Sequence, residues 1–178
     1  MKKTYPPVAL ITGSARRIGA EIARLFHNNS FDVALHYNSS SHEALALETE
    51  LNETRPNSAK TFQAQLTDIN AVKKMGQEVL SWKNQLDVLI NNASSFYPTP
   101  LEDANEEHWD NLIGSNLKAP YFLCQTVASA LQKSQGSIVT IADIYAQNPL
   151  KGYSIYCIAK AGNAMLTKSL AKELAPNV

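Results

Sequence analysis

Cysteine is nearly absent from this chain. Cys124 and Cys157 are the only two in 178 residues, too few for a disulfide framework, and neither has a His/Cys cluster beside it to hold a metal. Both read as small buried hydrophobes, and such sparing use fits a reducing compartment, so the chain is expected in the cytoplasm. An excess of charge of one sign is also lacking. Lys plus Arg and Asp plus Glu number 16 each, which removes the broad basic surface that nucleic acid or an acidic membrane would need. The expected partner is a small molecule. Long apolar runs are missing too, since no stretch approaches the roughly 20 residues of a membrane span. Lys2 and Lys3 precede an apolar run in the manner of a secretory leader, but Pro6 and Pro7 interrupt it and the run is too short, so it reads as a first strand. There is no short-period repeat, low-complexity segment or linker. What remains, 44% hydrophobic residues in a chain of one-domain length, suits a single globular unit over 1–178.

The apolar segments that are present alternate between two periods. Val8 to Ile11 is a continuous apolar run of the kind buried on both faces of a parallel sheet, and it ends in a glycine turn containing Gly13 and Gly19. The next residues predict a helix whose apolar stripe is Ile18, Ile22, Leu25 and Phe26. Residues 31–37 predict a second strand, 41–54 a helix, 55–58 a turn, and 59–65 a third, weaker strand. A third helix starts at Asp68, and 86–90 predict a fourth strand. Residues 106–133 predict a long helix interrupted near Asn116 by Pro120, and 136–142 a fifth strand. The last helix carries Tyr156 and Lys160. The order βαβαβαβαβα is that of an α/β fold, a doubly wound parallel sheet with helices on both faces, the Rossmann arrangement.

Chemistry-bearing residues gather at the ends of these strands. A glycine turn at a helix start lets backbone N–H groups meet a phosphate, so Gly13, Ile18 and Gly19 are candidates for a dinucleotide. After the second strand come His36-Tyr37-Asn38-Ser39-Ser40, without the carboxylate that would bind a ribose 2′-OH, while Arg17 supplies a cation; this suits a 2′-phosphate and hence NADP. Arg17 also suits a solvated helix start. Ser40 with Glu43 fits a capping box, so its hydroxyl serves structure, phosphate or both. Phe96, beyond the fourth strand, reads equally as a flat wall for a planar ligand or as a loop aromatic packed on the core. Tyr156 and Lys160, four apart, share one helical face, which reads either as a solvated face or as a pair in which a fixed ammonium favours the phenolate and a proton is exchanged near neutrality.

Taken in order, Thr12-Gly13 through Gly19, Asn91-Asn92-Ala93, Asn116 and Tyr156 through Lys160 resemble the short-chain dehydrogenase/reductase family over essentially the whole chain. Within it, residues 92–100, residues 152–160, Arg17, His36-Tyr37 and Asp143 look like the pteridine reductases. Asp143 stands thirteen residues before Tyr156, where most of the wider family has a substrate-binding serine. The resemblance implies an NADPH-dependent reductase of the C=N bond of a dihydropterin, dihydrofolate or dihydromonapterin, working as a homotetramer. It implies Tyr156 as proton donor, Lys160 as binder of the nicotinamide ribose that lowers the phenol pKa, and Asn116 as holder of a water chain behind Lys160. Phe96 would stack on the pterin, and Arg17 and Ser94 would touch both cofactor and substrate. Asp143 would bind the amino heterocycle or relay a proton, while itself raising the phenol pKa. The remaining implied cofactor contacts are Tyr37, Ser39, Gln65, Leu66, Asn92 and Ala93, and no metal is implied.

There are departures. No basic residue follows His36-Tyr37, and Gln65 stands where the family uses an aspartate against adenine. Family members continue past the position of Val178 with further strands, so the chain is expected to be a fragment or incomplete. A carbonyl or 3-oxoacyl reductase, and a nucleotide-binding fragment without catalysis, are the alternatives.

Overall fold

The computed structural model describes residues 5–178. Lys2 and Lys3, part of the leader-like start, lie outside the described residues. Five strands, β1 (Val8–Ile11), β2 (Asp32–Tyr37), β3 (Ala59–Gln63), β4 (Val88–Asn91) and β5 (Ser137–Thr140), form one parallel sheet in the order β3-β2-β1-β4-β5. Helices α1 (Arg17–Asn28), α2 (Ser41–Thr54), α3 (Ile69–Lys83), α4 (Glu106–Ile113), α5 (Ala119–Ser134) and α6 (Ser154–Leu174) complete the doubly wound fold.

The alternation of side chains along β1 shows how the layers are built. Val8 and Leu10 point into a cluster with Val72, Met75 and Val79 of α3 and Leu123, Val127 and Leu131 of α5. Ala9 and Ile11 point the other way, to Ala20 and Ala23 of α1 and Leu47 and Leu51 of α2. With both faces covered, β2 is buried from Asp32 to His36 rather than on alternate residues. Asp32 sits in this interior at the start of β2 because Arg55 and Lys83 both pair with it. The outer edge of the sheet is partly closed as well: the Thr61 N–H of edge strand β3 donates to the Glu48 carboxylate at 2.7 Å.

Three local expectations change. In α1 the buried residues are Gly19, Ala20, Ala23 and His27, whereas Ile18 and Leu25 are exposed and Ile22 and Phe26 pack at the edge of the cluster. The cause is close approach. A Cβ on Gly19 would stand 2.2 Å from the Gly13 carbonyl oxygen, so the helix lies on its small residues and the larger apolar ones are turned aside. Ser40 does not form the capping box, since its side chain makes no cap bond; Glu43 reaches Arg16 instead, at 3.4 Å. The segment predicted as one helix over 106–133 is two, joined by a π-helical turn at Gly114–Lys118, with Pro120 in the first turn of α5. The irregularity at Asn116 expected from Pro120 is therefore present, as one wide turn.

Candidate active site

The chain order reverses beside β1, whose neighbours are β2 and β4, and the crevice outside the C-terminal ends of these strands is where such sheets bind ligands. Its floor is the turn after β1. Gly13 takes a positive φ of 66°, and its N–H donates to His36 Nδ1 at 2.9 Å. Asn92 ties the turn to the end of β4, donating from Nδ2 to the carbonyls of Thr12 (2.8 Å) and Gly13 (3.2 Å). The Thr12 hydroxyl returns the tie by accepting the N–H groups of Asn92 and Ala93 at 2.9 and 3.0 Å. The crevice encloses about 590 Å³, a size in the range of cofactor sites. Gly13, Arg17, Ile18, Gly19, His36, Tyr37, Ser39, Ser40, Gln65, Leu66, Asn92, Ala93 and Ser94 all line it. Arg16, Asn111 and Ser115, which were not singled out in the sequence, line it as well.

The donor set fits a dinucleotide phosphate. The first turn of α1 contains no acidic residue, two arginines stand at its start, and among the described residues no carboxylate side chain lines the crevice. The residues suited to hold such a cofactor are thus Arg17 and the N–H groups opening α1 for phosphate, with Ser39 and Ser40 beside them.

Tyr156, Lys160, Asp143 and Phe96 form a second group beside Ser94, a crevice residue that interacts with the Tyr156 phenol and whose hydroxyl donates to Asn116 Oδ1 at 2.6 Å. Tyr156 and Lys160 project from the first two turns of α6 and are 4% and 3% exposed. The Tyr156 hydroxyl donates to Asp143 Oδ2 at 2.6 Å, while Asp143 Oδ1 accepts the Tyr145 N–H at 3.0 Å. Lys160 Nζ donates to the Ile141 carbonyl at 3.0 Å and lies 5.6 Å from the centre of the Tyr156 ring.

The electrostatics follow from this packing. Burial, and then the Asp143 carboxylate, raise the Tyr156 phenol well above its ordinary range, with the Ser94 hydroxyl opposing. Burial lowers the Lys160 ammonium, opposed by Asp143. Burial would raise the Asp143 carboxyl, but bonds from the Tyr145 N–H and the Tyr156 hydroxyl, with the charge of Lys160, outweigh it and hold the group below its usual value. Of the two influences weighed on the phenol, the anion prevails over the cation. At neutral pH the site holds a protonated tyrosine against an ionised aspartate.

Phe96 stands at the mouth, half exposed, edge-on to Tyr156 (centroids 4.8 Å apart) and stacked on Tyr153 (4.7 Å, 15° between planes). The loop bearing it is held to the start of α6 by the Thr99 N–H, which donates to the Gly152 carbonyl at 2.7 Å, and by a bridge between Thr99 and Tyr153. Asn116 lies in the π-helical turn, buried, with Nδ2 donating to the carbonyls of Ser95 and Leu112, both at 2.9 Å. Its own carbonyl accepts Asn163 Nδ2 at 2.6 Å. Tyr153 and Asn163 were both missed. Asn163 carried a signal, since seven residues beyond Tyr156 it shares the helical face of Tyr156 and Lys160.

Among the described residues no group of three or more His, Cys, Asp or Glu is placed to hold a metal ion, and no helix is long and apolar enough to cross a membrane. Comparison with known proteins agrees with the geometry. The family model described as short chain dehydrogenase matches residues 7–178. Pteridine reductase 1 of Leishmania tarentolae is 38% identical over 208 aligned positions, covering 95% of this chain and 72% of that protein. A 3-oxoacyl-acyl-carrier-protein reductase of Staphylococcus aureus is 34% identical over 168 positions, covering 94% of this chain and 68% of its own length, and one of Chlamydia pneumoniae is 32% identical, covering 93% and 66%. The match runs from the glycine turn through the helix that bears Tyr156 and Lys160, and the chain belongs to the short-chain dehydrogenase family as an NAD(P)-dependent oxidoreductase.

Proposed function

We propose that this chain is an NADPH-dependent pteridine reductase, reducing the C=N bond of a dihydropterin or of dihydrofolate. The observation that carries the reading is the Asp143 carboxylate at 2.6 Å from the Tyr156 hydroxyl, beside the half-exposed ring of Phe96. An aminopterin is flat and presents N–H donors at its edge. A carboxylate accepts such donors, and the outer face of a ring stacks on the plane. A ketone offers only an acceptor, which an ionised carboxylate repels.

A nicotinamide cofactor held by Arg17 and the N–H groups opening α1 would supply the hydride for the carbon of the C=N bond. Tyr156, protonated at neutral pH, gives its proton to the adjacent nitrogen, and the Lys160 charge offsets the phenolate left behind. Asp143 holds the phenol in line and binds the heterocycle. Asn116, through Ser94 and Ser95, fixes the loop that carries Phe96. Arg17, Ser39 and Ser40 favour the 2′-phosphate, and Gln65 offers an amide oxygen to the adenine amino group. Residues 1–178 work as one domain carrying both cofactor and proton donor, assembled as a homotetramer in the cytoplasm.

Similarity to 3-oxoacyl reductases supplies the second reading, a carbonyl reductase. The two separate in a substrate panel of 7,8-dihydrobiopterin, dihydrofolate and acetoacetyl thioester, each with NADPH and NADH. The account expects turnover of the pterins with NADPH, falling about tenfold or more in Asp143→Ser. Preference for the thioester, or full pterin turnover in Asp143→Ser, contradicts it. Cofactor binding without any turnover supports a binding fragment.

A further inference from the structure

We propose that His36 is a positioning residue for the dinucleotide-binding turn, its ring bracing the Gly13 N–H against the Ala64 carbonyl so that the turn is set before a cofactor enters. The ring lies at the end of β2, 2% exposed, between the turn after β1 and the segment leaving β3. Nδ1 accepts from Gly13 N at 2.9 Å, and Nε2 is 3.0 Å from the Ala64 oxygen. A backbone N–H can only donate and a carbonyl can only accept, so the two partners permit one form of the ring, neutral with its hydrogen on Nε2. Burial favours that neutrality, pushing the ring down to about 4.

The main chain of the same residue completes the brace. The His36 carbonyl accepts the Ser14 N–H at 2.9 Å and the Ser14 hydroxyl at 3.2 Å. Two successive N–H groups of the turn are therefore bonded to one residue, and Gly13 is held at its positive φ with a Cβ's space from Ala93 of only 3.0 Å. The N–H of Gly13 is spent inside the protein. A phosphate must then be met by the N–H groups that open α1, from Arg17 to Gly19. Although His36 borders the crevice, both its ring nitrogens are engaged, so it acts on a cofactor through the turn. The proposal rests on the family's use of a nicotinamide dinucleotide and not on the pterin reading, and its test needs no second substrate.

The experiment combines imidazole ¹⁵N spectra of the whole chain at pH 7 with NADPH titrations followed by fluorescence. The expected spectrum assigns His36 a protonated Nε2 and an unprotonated, hydrogen-bonded Nδ1. In the titrations His36→Phe, which keeps a flat ring but loses the acceptor, weakens NADPH roughly tenfold, the loss of about one hydrogen bond. His36→Asn, whose Oδ1 can reach the place of Nδ1, recovers to within about threefold of the parent. A proton on Nδ1 overturns the proposal whether or not the variants fold. Equal NADPH affinity in the phenylalanine and asparagine variants, weak or strong, overturns it as well, because a filler of space would not distinguish them.

Discussion

Asp143 decides the proton chemistry of Tyr156 more than Lys160 does. The phenol donates to the carboxylate at 2.6 Å, whereas the ammonium is turned to the Ile141 carbonyl. Exchange of the anion for a neutral amide removes an influence that favours the protonated phenol, so the phenolate becomes easier to form. The alkaline limb of the rate profile of Asp143→Asn is accordingly expected at lower pH than that of the parent, whose own limb lies above pH 10, measured as kcat/KM for dihydropterin from about pH 7 up to the most alkaline pH at which the fold persists. An unmoved limb, or one at higher pH, contradicts this. At this scale the sequence was legible where spacing carries the information. Tyr156, Lys160 and Asp143 meet as their positions at a helix start and a strand end require. Tyr153 was not legible, because its stack on Phe96 depends on a loop closure, Thr99 against Gly152, that joins segments 53 residues apart and leaves no local pattern.

Among the elements, the π-helical turn and α6 are joined by one bond with consequences beyond its length. Asn163 holds the Asn116 carbonyl at 2.6 Å, and Asn116 in turn holds Ser94 and Ser95, the residues before Phe96. Asn163→Ala removes this bond to a buried carbonyl, so a loss of about 1 kcal/mol in stability is expected by urea unfolding. Substrate KM should rise more than cofactor KM, because the loosened loop carries Phe96; an equal rise in both contradicts the coupling. The bounds of β1 and α2 were readable because each is a run of one period closed by turn residues. The face of α1 was not. Large apolar side chains define a stripe on paper, but the approach of Gly19 to the Gly13 carbonyl lets small residues take the buried side. Ser40 was misjudged for a related reason, since Glu43 finds Arg16 in a neighbouring segment rather than its own helix start.

For the molecule as a whole, two histidines buried in the neutral form link stability to pH. His36 is lowered to about 4 by burial, and His27, which meets the Ser58 hydroxyl at 2.6 Å, is lowered by burial and then by Arg55. The unfolded chain therefore binds more protons than the folded one below the ordinary histidine range. Their contribution is present in full above about pH 6.5 and is lost as pH falls toward the folded values, with His36 alone costing roughly 2 kcal/mol by pH 5. Urea unfolding at pH 7 and pH 5 should show this loss in the parent and a smaller one in His36→Asn; equal losses contradict it. The architecture was readable at this scale from the order of apolar runs, and its sheet order places the glycine turn and the Asn92 segment around one crevice.

The central claim is a reductase whose acid is Tyr156 and whose substrate is a pterin. Its most direct test is NADPH oxidation with 7,8-dihydrobiopterin by this chain and by Tyr156→Phe. The account predicts turnover by the parent and a fall of roughly a thousandfold in the variant, with NADPH binding retained. Turnover that survives the loss of the hydroxyl would contradict it.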